Sequence, residues 1–540
     1  MPFLMRSVST LALAMHCAIC ASAQDWDLVL RHGQVVDGTG KPAYPGDVAV
    51  KQGRIAAVGE VKGTGKQEIE ATGLVVAPGF IDVHTHAEDI LGAPKAENFV
   101  RMGVTTVIIG NCGASETDVG GFFHTLERTN ISANVATLIG HNSVRRIGVG
   151  ETAARAPSDA ELERMKQLVA KAMEDGAVGL STGLIYTPGK FSKTEEIIEL
   201  AKVAAEHGGI YATHVRDEQE GLLDSLQEAF RVGREAKIPV ELSHLKISGN
   251  LISPQKPETI QFLERARTEG FIDKVIAAID EAQKGGVKVS QDLYAYSAAS
   301  AALTRLLPAT ALEGGREKLD QRLKDPATRA AIAAEMKKDL LASGHNNYAH
   351  AVIITARRFK PLQGLTVPQA ALQRRNLATL DAQIETILDM AASDVSIILY
   401  DFNEPDLVPL MKLPNTMFIS DAGTFQFGNE AEHPRGYGSA ARVLAKYVRA
   451  EKLLTMEEAI RKMTSLCATT FKLKDRGELR PGARADIVVF DPAAVQDHAD
   501  FAQPHLYATG YKHVFVNGVE TVADDKHTGA RAGRAVRRGE

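Results

Sequence analysis

Cysteine is scarce in this 540-residue chain: there are four. Cys17 and Cys20 fall in the first 23 residues, so only Cys112 and Cys467 remain beyond them. That excludes a disulfide framework. An unpaired thiol in a large protein is either inert core or chemistry. An excess of positive charge is also missing. The formal net charge is −5, with 62 basic against 67 acidic residues. There is no polycationic footprint for nucleic acid, and the balance is too mild to imply a charged partner of either sign. Beyond the N-terminus no apolar run reaches the ~18 residues of a membrane span. Internal repeats and low-complexity tracts are absent. The hydrophobic share of 44% and charged share of 24% lie near the globular average, which excludes wholesale disorder. At ~150 residues per domain the length suggests three to four domains, although one α/β barrel with insertions absorbs most of it.

Residues 1–23 read as a secretory signal. Arg6 is the only charge, Leu11 to Ile19 is a short apolar run, and Ala21-Ser22-Ala23 has the small-x-small form that signal peptidase accepts. The expected product is exported, periplasmic or secreted, and soluble.

The next stretch, to Pro78, is β-rich, with a hairpin-like break at Gln52-Gly53. The C-terminal part has the same texture, with strands at Ala485 to Asp491 and Val514 to Gly518. Neither end holds enough strands for a core. Residues 24–78 and 478–540 are therefore expected to share one small β-sandwich.

Between them the pattern alternates strand and helix. Short apolar runs end in polar residues at Phe80–His84, Thr105–Ile109, Asn134–Ile139, Ala177–Leu180, Ile210–Thr213, Val240–Ser243, Lys288–Asp292 and Thr416–Ser420. Ser158 with Glu161 forms a capping box ahead of a helix to Glu174. Thr194 is placed to cap the helix that follows it. Leu222–Ala236 and Ile272–Lys284 are amphipathic at helical spacing. Eight βα-like units predict a TIM-like (β/α)₈ barrel over residues 79–477. Val395–Tyr400 is a further strand-like run, which leaves the count at eight or nine. Residues 303–350, rich in Ala, Lys and Arg, read as a helical insertion after the seventh strand.

His84-Thr85-His86 closes the first of these runs. Residues i and i+2 of a strand project to one face, so both imidazoles leave the strand's C-terminal end together, where barrel enzymes place catalysis. Asp82 shares that parity. Cys112, His214, His244 and Asp421 each stand where another strand gives way to a loop. In a closed barrel these ends converge. Four His, one Cys and one Asp make a borderline-soft N/S/O set suited to zinc. Each residue alone has an ordinary reading: a Cys after a strand is commonly a small buried hydrophobe, and a loop His is commonly solvated. Their shared structural phase is what points to a metal centre. His141 shares the phase but reads as supporting structure. Cys467 reads as core, and His433 as a loop residue rather than a ligand.

Ala77-Pro78-Gly79-Phe80-Ile81-Asp82-Val83-His84-Thr85-His86 resembles the opening motif of the amidohydrolase superfamily. Gly477-Glu478-Leu479-Arg480-Pro481-Gly482-Ala483-Arg484-Ala485-Asp486-Ile487 is similar to its return into the β-sandwich. Gly110-Asn111-Cys112-Gly113, Thr213-His214-Val215-Arg216-Asp217-Glu218, Ser243-His244-Leu245-Lys246 and His433-Pro434-Arg435-Gly436-Tyr437-Gly438 narrow this to the D-aminoacylase (N-acyl-D-amino-acid deacylase) family. The resemblance runs from about Asp27 to Arg538.

It implies a zinc-dependent deacylase of N-acyl-D-amino acids. Tightly bound zinc would map to Cys112, His214 and His244, and a second, weaker position to His84, His86 and Asp421. Many relatives bridge two metals with a carboxylated lysine on strand 4. Here that strand reads Gly179-Leu180-Ser181-Thr182, with no lysine, and Cys112 would take the role. Zinc would activate water and polarise the amide carbonyl, with Asp421 as the base that later protonates the leaving amine. The substrate's α-carboxylate would meet Lys246, Tyr294, Ser300 and Arg435, and Tyr186 would line the acyl or side-chain pocket. The usual Tyr-Pro-Tyr is Tyr294-Ala295-Tyr296 here, the loop Gly140-His141-Asn142-Ser143 is not the commonest form, and residues 303–350 match poorly. These departures bear on which substrate is preferred. The competing expectations are a hydantoinase-like or dipeptidase-like amidohydrolase, and a non-catalytic secreted binding protein. Stereochemistry comes from the resemblance alone, and the sequence is silent on oligomeric state.

Overall fold

The computed structural model describes residues 25–150, 154–248, 270–312, 315–342, 345–400, 404–428, 433–501 and 503–540. The signal-peptide expectation for residues 1–23 lies outside them. The described chain opens with β1 (Trp26–Val35), β2 (Tyr44–Lys51), β3 (Arg54–Gly59), β4 (Gly65–Glu70) and β5 (Val75–Pro78). The break between β2 and β3 falls at Gln52-Gly53, both at positive φ (53° and 70°), which suits the tight hairpin there.

The barrel begins at β6 (Phe80–Asp82) and continues through β7 (Val104–Ile109), β8 (Asn134–Thr137), β9 (Ile139–Gly140), β10 (Gly179–Gly183), β11 (Ile210–His214), β12 (Val240–Leu242) and β13 (Val289–Leu293). An insertion carrying β14 (Ala299–Ala302), β15 (Ala351–Ala356) and β16 (Val395–Leu399) precedes the last barrel strand, β17 (Thr416–Phe418). All residues of β6 to β13 and of β17 are buried. Burial on both faces is why these strands read as continuous apolar or small runs rather than alternating ones.

All pairings among the barrel strands are parallel. β8 and β9 are one strand interrupted at Leu138. β8 pairs with β7 and β9 with β10, so the broken third strand joins the two arcs. The seam between the last and first strands is closed by other means. Both oxygens of Asp82 accept from the Ser420 amide at 3.1–3.2 Å. The Asp421 amide donates to the His84 carbonyl, and the His86 amide to that of Ala422. Burial pushes the Asp82 carboxyl up to about 7, against the pull of the Ser420 and His84 amides.

Helices cover the barrel largely where periodicity places them. Asp159–Glu174 starts with the expected capping box. Leu222–Ala236 has the predicted bounds and Phe271–Lys284 starts one residue early. Thr194 is a correction. It is the first residue of its helix, not the cap, and its hydroxyl donates to Glu228 instead. Among the described residues no helix is long and apolar enough to cross a membrane.

The insertion is larger and less helical than its composition suggests. Helices at Gly315–Lys324 and Pro326–Ala342 are present, but β14, β16 and β15 form an antiparallel sheet in that order. Val395–Leu399 is therefore the insertion's central strand, and the barrel has eight strands. The insertion has its own apolar core, including Leu319, Met336, Ile353, Ile387 and Ile397.

The chain ends meet in a sheet of their own. β18 (Ile487–Phe490), β19 (Tyr511–Val516), β20 (Val519–Ala523) and β21 (Lys526–His527) join the N-terminal strands in the order β21-β20-β19-β18-β5-β1-β2-β3, with β4 beside β1. Leu30, Val48, Ile55, Val76, Ile487 and Phe515 form its core. The final residues leave this sheet for the barrel. The Val536 amide donates to Val135 of β8 and the Arg538 amide to Gly176.

Candidate active site and metal centre

The ligand-type side chains stand at strand C-termini, two positions beyond β6 (His84, with His86 after it), three beyond β7 (Cys112), at the end of β11 (His214), two beyond β12 (His244) and three beyond β17 (Asp421). Three of them have left-handed backbones: Cys112 at φ 51°, His244 at 37° and Asp421 at 51°. Such residues cost of order 1–3 kcal/mol each and persist where the surroundings over-determine them. Here the surroundings do. The His244 amide donates to Asp292 Oδ1 at 2.5 Å, and the Asp421 amide to the His84 carbonyl at 2.9 Å. Cys112 lies between Gly110 and Gly113, both at positive φ. A Cβ on Gly110 would sit 2.3 Å from the Leu138 carbonyl oxygen, and one on Gly113 2.5 Å from Asn142 Oδ1. Only glycine lets the Cys112 turn approach the third strand this closely.

These turns bring the side chains together. Cys112 Sγ lies 3.4 Å from His84 Nε2, 3.6 Å from His214 Nδ1 and 3.6 Å from His244 Nε2. Asp421 Oδ1 lies 3.2 Å from His86 Nε2 and 3.7 Å from His84 Nε2. Two overlapping triads result, Cys112 with His214 and His244, and Cys112 with His84 and His86. Within each, the donor atoms all lie within 4.8 Å of one another. Burial alone would raise the Cys112 thiol, but His84, His214 and His244 hold it well below the ordinary range. Burial would likewise raise Asp421, but Arg435 and the histidines hold it well below the carboxylate range. Burial pulls His86 down, while Asp421 and Cys112 push it up to about 10. A thiolate and a carboxylate ringed by imidazoles is a donor set that fits a borderline divalent cation such as zinc.

A further layer backs these groups. Asp292 Oδ2 lies 3.2 Å from His84 Nδ1, the nitrogen turned away from Cys112. Glu218 Oε1 lies 3.2 Å from His244 Nδ1 and accepts from Lys246 Nζ at 2.5 Å. Neither acid stands out in the sequence. The available signals were small: Glu218 is four residues after His214, and Asp292 ends the seventh apolar run.

The proposed substrate contacts divide. Arg435 Nη1 lies 2.8 Å from Asp421 Oδ2, with its guanidinium 4.4 Å from the centre of the Tyr294 ring. Lys246 Nζ is 6.0 Å from that centre, so two cations lie near the Tyr294 ring. Tyr186 packs edge-on against His214, ring centres 4.8 Å apart, and is 49% exposed. Ser300 is on β14 opposite Ile398, and no described contact joins it to the cluster. His141 is buried outside the cluster, paired with Glu196 at 2.9 Å. His433 is also buried, bonded to the Ala298 carbonyl and the Arg435 amide. Cys467 is fully buried core.

The profile of the amidohydrolase family matches residues 67–289 and 431–522. D-aminoacylase of Alcaligenes xylosoxydans xylosoxydans is 33% identical over 548 aligned positions, covering 96% of this chain and 99% of that protein. N-acyl-D-glutamate deacylase of the same organism is 32% identical, covering 95% and 96%. The crystal structure of N-acyl-D-glutamate deacylase from Bordetella bronchiseptica, complexed with zinc and a phosphonate mimic of the tetrahedral intermediate, superimposes with a TM-score of 0.77 at 30% identity. That match covers 95% of this chain and 99% of that one.

Proposed function

This chain belongs to the amidohydrolase family, in its D-aminoacylase branch, and from that premise we propose that it is a zinc-dependent hydrolase of N-acyl-D-amino acids. One observation carries the reading: the Cys112 thiol converges with imidazoles from three other strand ends at 3.4–3.6 Å. β10 holds no lysine, so the carboxylated-lysine bridge of hydantoinase-like relatives has no residue here. The thiolate supplies an anionic ligand in its place, which fits the deacylase branch rather than the hydantoinase-like relatives. A non-catalytic binding role is disfavoured because all six candidate ligands are present and grouped.

Cys112, His214 and His244 would hold the tight zinc; His84, His86 and Asp421 offer the weaker position. Bound zinc supplies a lowered pKa for water and polarisation of the scissile carbonyl. Asp421, kept ionised by Arg435, is placed to take the proton of the attacking water. An amide nitrogen leaves poorly until protonated, and Asp421 returns that proton to it. Arg435 Nε is buried with no hydrogen-bond partner among the described residues. It offers a charge-assisted donor to an α-carboxylate beside Tyr294 and Lys246. The substrate is a small N-acyl amino acid.

Assaying N-acetyl-D-methionine, its L-isomer and a hydantoin side by side, with metal analysis of the same sample, tests the proposal. The D-isomer is expected to be cleaved and zinc to be present. Cleavage of the hydantoin alone sinks the linear-amide reading. We propose further that the protein is exported, on the charged, apolar and small-residue succession of its first 23 residues. N-terminal sequencing after expression with its own leader should begin at Gln24, and a cytoplasmic product beginning at Met1 would contradict export.

A further inference from the structure

We infer that Glu218 is a positioning residue: one of its carboxylate oxygens sets the tautomer of the zinc-holding His244 and anchors the substrate-facing Lys246. The inference rests on the metal-centre reading above. Glu218 lies just past β11 and is 9% exposed. Its Oε1 is 2.5 Å from Lys246 Nζ, 3.2 Å from His244 Nδ1 and 3.6 Å from His214 Nε2. In both rings the opposite nitrogen faces Cys112, His244 through Nε2 and His214 through Nδ1, each at 3.6 Å. His244 therefore turns one nitrogen to the thiol and the other to the carboxylate within hydrogen-bonding reach, whereas His214 Nε2 is buried with no hydrogen-bond partner among the described residues. A metal-binding imidazole needs its proton on the far nitrogen, and a carboxylate there holds it in place.

His244 makes this requirement acute. Lys246 Nζ is 3.1 Å from the same Nδ1. An ammonium has only protons to offer. Left to itself it would donate to Nδ1, driving the ring proton onto Nε2, where the lone pair for zinc is needed. Glu218 removes the conflict by accepting from Lys246 and from Nδ1–H together. Its backbone carbonyl accepts the Ser248 amide at 2.9 Å, which ties it to the loop carrying Lys246. Metal retention and carboxylate recognition thus share one anchor.

The test is zinc affinity, measured by chelator competition, with kcat and KM on N-acetyl-D-methionine in the same preparations. Glu218→Gln is expected to bind zinc about 10–100-fold more weakly. Lys246→Met should keep the parent's zinc affinity and raise KM. The double variant Glu218→Gln/Lys246→Met should regain zinc affinity to within about threefold of the parent, because the competing cation is gone, while KM stays high. A merely structural role for Glu218 gives no such rescue. Parent-like zinc affinity in Glu218→Gln, or a double variant as weak as the single, overturns the inference. If Glu218→Gln does not fold, the charge-balanced double variant against Lys246→Met decides: affinity more than tenfold below Lys246→Met counts against it. A parent that holds no zinc brings down the metal-centre reading itself, and this inference with it.

Discussion

Replacing Cys112 with alanine is expected to remove the tightly held zinc and lower turnover by about 10³-fold or more, with the barrel still folded. Zinc supplies several kcal/mol of transition-state stabilisation, and each 1.36 kcal/mol is tenfold in rate. The thiol is the one sulfur among the ligands, central to both triads, so losing it leaves two neutral imidazoles at the tight position. The fold should survive for a separate reason. Removing one small buried group costs about 1 kcal/mol, and alanine meets the same strain at φ 51° that cysteine already bears. Elemental analysis beside a thermal melt checks both halves. Full zinc content in the folded variant would refute the ligand assignment.

Asp421→Ala is expected to give the opposite pairing of results: zinc retained at the tight position, and kcat lowered by about 10²–10⁴-fold, the range of general acid–base catalysis. Asp421 lies on the His84 and His86 side of the cluster, outside the Cys112, His214 and His244 triad. Its removal should weaken only the second metal position. It also strips Arg435 of its partner, so KM is expected to shift with kcat. Turnover within a few-fold of the parent would take Asp421 out of the proton-transfer role. Zinc lost along with activity would mean that the two positions are not independent.

Much of the candidate site's inventory was legible because it is written locally. A strand buried on both faces appears as a short apolar run, and the residue where the run ends is the residue at the barrel mouth. His84, His86, Cys112, His214, His244 and Asp421 could all be found that way. The insertion defeated the same signal. Ala351–Ala356 and Val395–Leu399 are apolar runs like those of the barrel, and nothing in them says that they pair with each other rather than with barrel strands. Thr194 shows a smaller ambiguity, since a threonine at a helix start serves as cap or as first residue depending on one backbone angle.

By itself, the sequence determined the alternation of strand and helix, the chemical types at the strand ends and the absence of a strand-4 lysine. All of these depend on residues close together in the chain, while the insertion's own sheet settled the strand count at eight. Tertiary structure alone decided which acids stand behind the candidate ligands. Asp292 reaches His84 across 208 positions, Glu218 reaches His244 and Lys246 from the neighbouring strand, and Asp82 closes the seam at Ser420 across 338. The physical reason is barrel closure. It places in contact side chains whose partners leave no trace in local periodicity, and it sets the left-handed turns at Cys112, His244 and Asp421 that only the assembled surroundings sustain.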